Sequence, residues 1–218
     1  LGLLKMDFLG LRNLTVLEDA ARQVRRREPG FQVERIPLDD KKTFDMLAAG
    51  RTVGVFQLES AGITAVCMGL RPRSIEDITA VIALYRPGPM EGIPRFLACS
   101  AHPERITYQH PLLEPILAVT YGCIVYQEQV IEIFRQLAGF SLGQADMIRR
   151  AMSKKKEAVI TAERAAFVHG DPARSIPGAV AKGVPEQTAN DIYDEILAFA
   201  SYAFNKAHAV SYAIVSYR

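Results

Sequence analysis

LGQADMIRRAMSKKK, residues 142–156, combines a helical apolar pattern with a run of positive charge. Its apolar side chains recur at the spacing of one helix face: Leu142, Ala145, Ile148 and Met152. Ser141, directly before this stretch, is a residue type that caps helix N-termini by accepting a backbone hydrogen bond. The pattern predicts an amphipathic helix. Because nearly every other long periodic segment also has helical spacing, the predicted fold class is mainly α, with one or two short strands.

The second half of this helix is strongly cationic, and Asp146 is the only acidic residue in the stretch. The basic residues are Arg149, Arg150, Lys154, Lys155 and Lys156. Cations near a helix C-terminus are favoured by the macrodipole, which explains them without any ligand. Adjacent arginines project about 100° apart and can hold different oxygens of one triphosphate or one nucleic-acid backbone. The charge run is therefore either a solvated helix end or a phosphate-binding surface.

Composition indicates a globular chain with a substantial core, since 49% of the 218 residues are hydrophobic and 23% are charged. The net charge is only +2, so any contact with nucleic acid must come from local clusters. Cys67, Cys99 and Cys123 form no CxxC pair, which argues against a zinc site or a disulfide framework and favours a reducing, cytoplasmic compartment. No apolar run approaches membrane-spanning length, so no membrane is expected as a partner. The sequence starts at Leu and stops inside a helical pattern, which suggests a piece of a longer protein.

Residues 1–10, LGLLKMDFLG, are almost continuously apolar, which predicts a short buried strand. Lys5 and Asp7 interrupt this run two positions apart, so their side chains leave the same face. A carboxylate beside a lysine on a buried strand is either half of a structural ion pair or a metal ligand. Two mid-chain apolar runs, 53–58 (VGVFQL) and 121–126 (YGCIVY), are the other candidates for extended structure.

The remaining periodic segments predict helices, separated by loop-rich stretches at 92–111 and 169–181. The predicted helical segments are 11–27, 42–49, 59–70, the one that follows Ser74, 111–119, 127–138, 157–168, 185–200 and 204–218. The expected N-caps are Asp39 or Asp40, Ser74, Ser141 and Asn205. In the first helix the expected apolar face comprises Leu14, Leu17, Ala21 and Val24.

Residues 85–89, YRPGP, are predicted to form a rigid irregular loop, because two prolines and a glycine resist helix and strand there. This loop presents Arg86. It is either a plain helix-ending turn or a stiff support that fixes one arginine for a phosphate contact.

The last predicted helix carries a polar stripe. Asn205, His208 and Tyr212 lie three and four positions apart, so they share one face, with Lys206 beside them. A histidine on a helix is commonly a packing residue, whereas the whole stripe beside a lysine also fits a surface that faces a nucleotide. The pattern leaves both alternatives open.

Six motifs in this order resemble the C-family replicative DNA polymerases of bacteria, the family of the DNA polymerase III alpha subunits. The motifs are LLKMDFLGLRNLT (3–15), VFQLES (55–60), ALYRPGPM (83–90), YGCIVYQEQV (121–130), IRRAMSKKK (148–156) and YAFNKAHAVSYA (202–213). They run in family order from residue 3 to residue 213, so the resemblance is highly specific. It implies that residues 1–12 are the C-terminal end of a palm domain, with a catalytic strand, and that residues 13–218 are part of a multi-helix fingers domain.

The resemblance also implies roles for individual residues. Asp7 would be the third carboxylate of the family's catalytic trio and a metal ligand. The residues implied to contact the nucleotide are Lys5, Arg149, Arg150, Asn205, Lys206, His208 and Tyr212. The residues expected to bind DNA are Arg86, Lys154, Lys155 and Lys156.

Nucleotidyl transfer of this kind uses two Mg²⁺ ions about 4 Å apart, bridged by carboxylates. One aspartate cannot hold both ions, so the isolated chain is expected to be inactive. The expected partners are primer–template DNA, deoxynucleoside triphosphates, the palm and thumb of the alpha subunit and, through regions outside this chain, replisome subunits such as the sliding clamp. The alternatives are a non-enzymatic helical module that binds nucleic acid through its basic helix, and a protein-interaction scaffold with solvated charges.

Overall fold

The computed structural model describes residues 2–4, 6, 10–154, 157–200 and 202–218, and these are mainly helical. The α-helices are α1 (Arg12–Arg25), α2 (Lys41–Ala48), α3 (Ala61–Leu70), α4 (Ile75–Leu84), α5 (Ile93–Ala101), α6 (Glu114–Leu117), α7 (Gln127–Ala138), α8 (Leu142–Ser153), α9 (Glu157–Ala162), α10 (Arg164–His169), α11 (Glu186–Ala200) and α12 (Lys206–Tyr217). Short 3₁₀ turns lie at Val33–Arg35, Pro89–Gly92, Pro103–Arg105, Pro111–Leu113, Ala118–Thr120, Pro172–Arg174 and Val180–Lys182. Among the described residues, no helix combines the length and the apolar character that crossing a bilayer requires.

The helix caps follow the sequence closely. Each predicted cap accepts a backbone N–H bond: Asp40 from Thr43 at 2.9 Å, Ser74 from Asp77 at 3.2 Å, Ser141 from Gln144 at 3.3 Å and Asn205 from His208 at 2.8 Å. At α8 the bond is reciprocated, because Gln144 Oε1 accepts from the backbone N–H of Ser141 at 2.8 Å. This capping box satisfies two backbone donors and fixes where α8 begins.

The predicted short strands are not confirmed. The described residues contain no β-strand, and bridging among them is limited to the isolated pairs Tyr126–Phe204 and Asp171–Ile176. At the chain start, Leu3 and Leu4 are 86% and 82% exposed, which does not fit a buried strand. Lys5 and Asp7 lie outside the described residues.

Turns replace extended backbone in the mid-chain run 53–58. Gly54 and Gln57 have φ angles of 77° and 65°, so the chain reverses direction within the run instead of extending. Val53 is 96% exposed, whereas Leu58 is buried. The apolar run therefore contributes one core residue rather than a strand.

A glutamine side chain takes the place of a neighbouring strand at Tyr126. Gln129 Oε1 accepts hydrogen bonds from the backbone N–H groups of Val125 and Tyr126 at 2.8 and 3.0 Å. Its Nε2 donates to the carbonyl of Ile116 at 3.2 Å and to Thr120 Oγ1 at 2.7 Å. Because this buried amide satisfies the backbone, the segment needs no sheet.

One helix, α5, lies in a segment that the sequence predicted to be loop. Pro94 is its second residue, and a proline is tolerated there because first-turn N–H groups have no intrahelical acceptor. Ile93 and Phe96 are buried in the first hydrophobic core, so their packing stabilises the helix.

The first hydrophobic core is built by α2 to α5 and is closed by α12. All residues of α4 from 77 to 84 are buried. The last helix, α12, packs against α4 and contributes Ala209 and Ala213, both 0% exposed. The hydroxyl of Tyr217 accepts from the backbone N–H of Asp40 at 2.8 Å, which ties the end of α12 to the start of α2.

The second core lies between α6 and α11 and contains a cluster of aromatic rings. The ring centroids of Phe140 and Phe167 are each 5.0 Å from that of Phe134, and Tyr193 lies 5.2 Å from Phe167. Edge contacts of this kind hold α7, α10 and α11 together.

The first turn of α7 lies between the two cores. Tyr126, directly before it, belongs to the first core, whereas Val130 belongs to the second. Helix α7 packs against α8, and the backbone N–H of Gln127 donates to the carbonyl of Phe204, just before α12, at 2.9 Å. Helices α7, α8 and α12 therefore meet at one place on the molecule.

Candidate nucleotide-binding surface

Arg149 and Arg150 of α8 share the carboxylate of Asp146. Arg149 Nε donates to Oδ1 and Arg150 Nε donates to Oδ2, both at 2.7 Å. These hydrogen bonds lower the pKa of the Asp146 carboxyl below its usual value, because they favour the ionised form. The Arg149 side chain is 28% exposed and that of Arg150 is 69% exposed. One carboxylate thus holds two cations at the same edge of α8.

Gln127, the first residue of α7, lies between Arg149 and the segment that leads into α12. Its Oε1 accepts from Arg149 Nη1 at 3.4 Å, a long contact, and its Nε2 donates to the carbonyl of Ala203 at 3.1 Å. With the backbone bond to Phe204, this side chain links Arg149 to the segment that leads into α12.

Glu128 caps the N-terminus of α12 from the neighbouring helix. Its carboxylate accepts from the backbone N–H of Lys206 at 3.0 and 3.1 Å and from Asn205 Nδ2 at 3.1 Å. A carboxylate is favoured there by the unpaired N–H groups and by the macrodipole. The ammonium of Lys206 lies 3.1 Å from Glu76, and its side chain is 31% exposed.

A row of rings runs along one side of α12. The centroid of His208 lies 5.5 Å from Phe204 and 4.2 Å from Tyr212, and Tyr212 lies 5.2 Å from Phe56. The predicted stripe on this helix therefore does share one face. His208 is exposed and Tyr212 is partly exposed, so the row brings aromatic side chains to the surface, with ring planes tilted by 74°, 40° and 39° in these three pairs.

Arg86 is bonded within the chain. Its Nε donates to the carbonyl of Ala83 at 3.0 Å, its Nη2 donates to the carbonyl of Tyr202 at 2.7 Å, and its guanidinium lies 4.1 Å from the ring centre of Phe204. Burial lowers its pKa, since the charged form loses water. These contacts support the segment before α12, and a contact between Arg86 and DNA stays a prediction.

The other predicted site residues are only partly described. Lys154 is exposed directly after α8. Lys5, Asp7, Lys155 and Lys156 lie outside the described residues, so their roles stay predictions. The described residues also contain no group of three or more His, Cys, Asp or Glu side chains placed to share a metal ion.

Sequence reasoning missed three residues that organise this surface: Asp146, Gln127 and Glu128. The sequence did carry a signal for Asp146, because carboxylates pair with arginines three and four positions away on a helix. It carried no comparable signal for Gln127 and Glu128, whose partners Ala203 and Asn205 lie 76 and 77 positions away.

Comparison with known proteins identifies the class of this helical chain as a polymerase finger domain. Residues 13–174 match the family described as "Bacterial DNA polymerase III alpha subunit finger domain". The chain therefore belongs to this family.

Three curated relatives, each named DNA polymerase III subunit alpha, match the whole chain. The relative from Halalkalibacterium halodurans is 51% identical, that from Staphylococcus epidermidis is 50% identical and that from Thermus aquaticus is 49% identical. The chain covers 19%, 20% and 18% of their respective lengths, so it corresponds to about one fifth of each.

Proposed function

We propose that this chain is the fingers part of a bacterial replicative DNA polymerase, an enzyme that carries out template-directed nucleotidyl transfer. In that enzyme the chain would bind the triphosphate of the incoming nucleotide. The observation that carries the proposal is the pair of arginines on Asp146, next to the start of α12. The names of the relatives support the same activity.

The chemistry of phosphate binding suits the two arginines. A guanidinium presents donors in a planar fork that matches phosphate oxygens, and it stays charged at all relevant pH values. Both bonds from Arg149 and Arg150 to Asp146 use Nε, so the carboxylate engages the inner edge of each guanidinium. In the proposed complex, Arg149 and Arg150 hold the triphosphate and offset charge that develops on the leaving pyrophosphate.

The start of α12 is proposed to face the sugar and base of the nucleotide. The side chains assigned to this role are Asn205, Lys206, His208 and Tyr212. The exposed ring of His208 could stack on any base, because every base has a π face. These residues would therefore add affinity for all nucleotides without selecting one of them.

DNA is proposed to run along the basic end of α8. Lys154, Lys155 and Lys156 would neutralise backbone phosphates, which gives affinity without sequence preference and with strong salt dependence. For Arg86 we propose an indirect share in this surface, since its contacts to Tyr202 and Phe204 hold the neighbouring segment in place.

The metal-dependent step belongs to the complete polymerase. Residues 1–12 are proposed to end the palm, and residues 13–218 to belong to the fingers, a division that the family match over 13–174 supports. Asp7 would supply one Mg²⁺ ligand and Lys5 a further phosphate contact, while the remaining carboxylates would come from elsewhere in the protein. Mg²⁺ would stabilise the attacking and leaving oxygens.

The proposed partners are primer–template DNA, deoxynucleoside triphosphates and the palm and thumb of the same polymerase. The sliding clamp would bind regions outside this chain. Such a polymerase would act in the bacterial cytoplasm, where the chromosome lies.

The test uses a complete alpha subunit that carries this segment, with Arg149→Ala and Arg150→Ala as separate variants. Losing one charge-assisted phosphate contact costs roughly 1.5–3 kcal/mol, so kcat/KM should fall about 10–150-fold with each of the four nucleotides. Arg135→Ala is the matched control, because Arg135 is an exposed arginine of α7 that pairs with Glu132. Its kcat/KM should stay close to that of the unchanged protein.

DNA affinity at two salt concentrations separates this proposal from the nucleic-acid-binding module. If both arginine variants kept their kcat/KM for nucleotides but lost affinity for DNA, the basic helix would be a backbone clamp and the proposed triphosphate grip would be wrong.

A further inference from the structure

Asp146 lies where two positive charges would otherwise repel each other. Arg149 and Arg150 occupy consecutive positions of α8, so their side chains leave the helix about 100° apart. The Asp146 carboxylate is three and four positions before them, and it bonds one arginine with each oxygen at 2.7 Å. This single acceptor therefore draws both guanidiniums to one edge of the helix.

The two arginines are restrained to different degrees. Arg149 is half-buried and also contacts Gln127 across the interface with α7, at 3.4 Å. Arg150 is 69% exposed, and its Nε is bonded to Asp146. An exposed arginine without a fixed acceptor samples many rotamers, so Asp146 matters most for the order of Arg150.

We propose that Asp146 is a positioning residue, which holds Arg149 and Arg150 in the orientation that receives the triphosphate. This inference rests on the proposed function, because it gives Asp146 a role only through the two arginines. No direct contact between Asp146 and the nucleotide is proposed.

The negative charge of Asp146 has two opposing effects on a polyanionic ligand. It repels the triphosphate, an effect that water and salt screen at an exposed helix surface. It also orders the groups that bind the ligand, and misplacement by about 1 Å costs as much as about 100-fold in rate when reacting groups must align. Removing the charge of Asp146 should therefore leave the affinity for the nucleotide nearly unchanged. It should lower the rate at which the bound nucleotide is incorporated.

The experiment compares Asp146→Asn, Asp146→Glu and the unchanged residue in a complete alpha subunit, using single-nucleotide incorporation on a primer–template. For Asp146→Asn we expect kcat to fall about tenfold with all four nucleotides and KM to change by less than about threefold. Asp146→Glu keeps a carboxylate within reach of the same two arginines and should recover most of kcat. Affinity for primer–template DNA should not change.

Glu132→Gln is the matched control. Glu132 also accepts bonds from side chains three and four positions later, Arg135 and Gln136, but on α7. Its loss removes an equivalent helical ion pair, so its kcat should match that of the unchanged protein.

Combining Asp146→Asn with the two arginine substitutions decides whether Asp146 acts through the arginines. In a protein that already carries Arg149→Ala and Arg150→Ala, adding Asp146→Asn should change kcat by less than about twofold. A further large loss in that background, or a failure of Asp146→Glu to recover activity, would show that Asp146 supports the helix itself and would overturn the inference.

The remaining outcomes separate the two proposals. If the arginine variants are impaired while Asp146→Asn behaves like the unchanged protein, the positioning role is wrong and the triphosphate grip stands. If the arginine variants themselves are unimpaired, the proposed function is wrong and the role of Asp146 falls with it.

Discussion

Glu128 in the first turn of α7 caps a helix that begins 78 positions later, because its carboxylate accepts from the backbone N–H of Lys206 at 3.0 and 3.1 Å. Helix caps usually come from the residue directly before the helix, and Asn205 fills that place. The start of α12 therefore has one cap from its own segment and one from a neighbouring helix, and the second ties it to the first turn of α7.

Glu128→Ala should lower the free energy of unfolding by about 1 kcal/mol, the usual cost of a lost N-cap. Glu128→Gln keeps the acceptor and should cost less, because it loses only the charge at the helix N-terminus. Urea unfolding followed by circular dichroism measures both. Glu132→Ala is the control, since Glu132 bonds only neighbours on its own helix among its described contacts. Equal losses for Glu128→Ala and Glu132→Ala would contradict the bridging role.

Asp7→Asn in the complete polymerase should abolish nucleotide incorporation while leaving DNA affinity close to normal. The substitution preserves shape and removes the carboxylate that we propose as a Mg²⁺ ligand. Primer extension together with a DNA-binding titration measures the two effects. Asp45→Asn, which changes an exposed aspartate that pairs with Lys41 on α2, should keep full activity. Retention of more than a small residual activity in Asp7→Asn would instead favour a structural ion pair between Asp7 and Lys5.

Replacing Lys154, Lys155 and Lys156 together by alanine should weaken DNA binding and flatten its dependence on salt. Each lost phosphate contact should reduce the slope of log K against log salt by about 0.9 on duplex DNA. Affinities measured at several salt concentrations give this slope. Lys41→Ala serves as the control, because Lys41 is an exposed lysine paired with Asp45 far from α8 in sequence. An unchanged slope in the triple variant would exclude these lysines as backbone contacts.

Cys99 should react with iodoacetamide well before Cys67 and Cys123. Burial raises the pKa of the Cys67 and Cys123 thiols to about 11, because it disfavours the thiolate. At pH 8 only about one thiol in a thousand would then be ionised, and both groups are also shielded from the reagent. Mass spectrometry of the folded chain should show one fast adduct, which Cys99→Ser removes. Two or three fast adducts would mean that the core around α3 and α7 is more open than described.

Helix ends were predictable from the sequence where they depend on residues close together along the chain. The caps at Ser74, Ser141 and Asn205 follow from residue type and spacing, and all three are present. In α1 the pattern was clear, yet only Ala21 of the predicted face is buried, while Leu14 and Val24 are 51% and 37% exposed.

Predictions failed where the structure depends on side-chain hydrogen bonds that no repeating pattern in the sequence marks. Apolar runs look alike whether they pair as strands or turn into a core, and a single side chain, Gln129, decided the outcome at Tyr126. The same limit applies to the surface between α8 and α12. The arginines and the polar stripe were each identified as candidates, but the sequence could not show that Gln127 and Glu128 bring them side by side.

The amide of Gln129 has a consequence for how this domain responds to its surroundings. An amide carries no proton that titrates near neutral pH, and its four bonds to Val125, Tyr126, Ile116 and Thr120 lie beyond the reach of dissolved ions. The joint between the two cores should therefore keep its shape while ionic strength varies. Salt can then weaken the proposed attraction of the cationic edge for phosphate while the bonds of Gln129 stay intact.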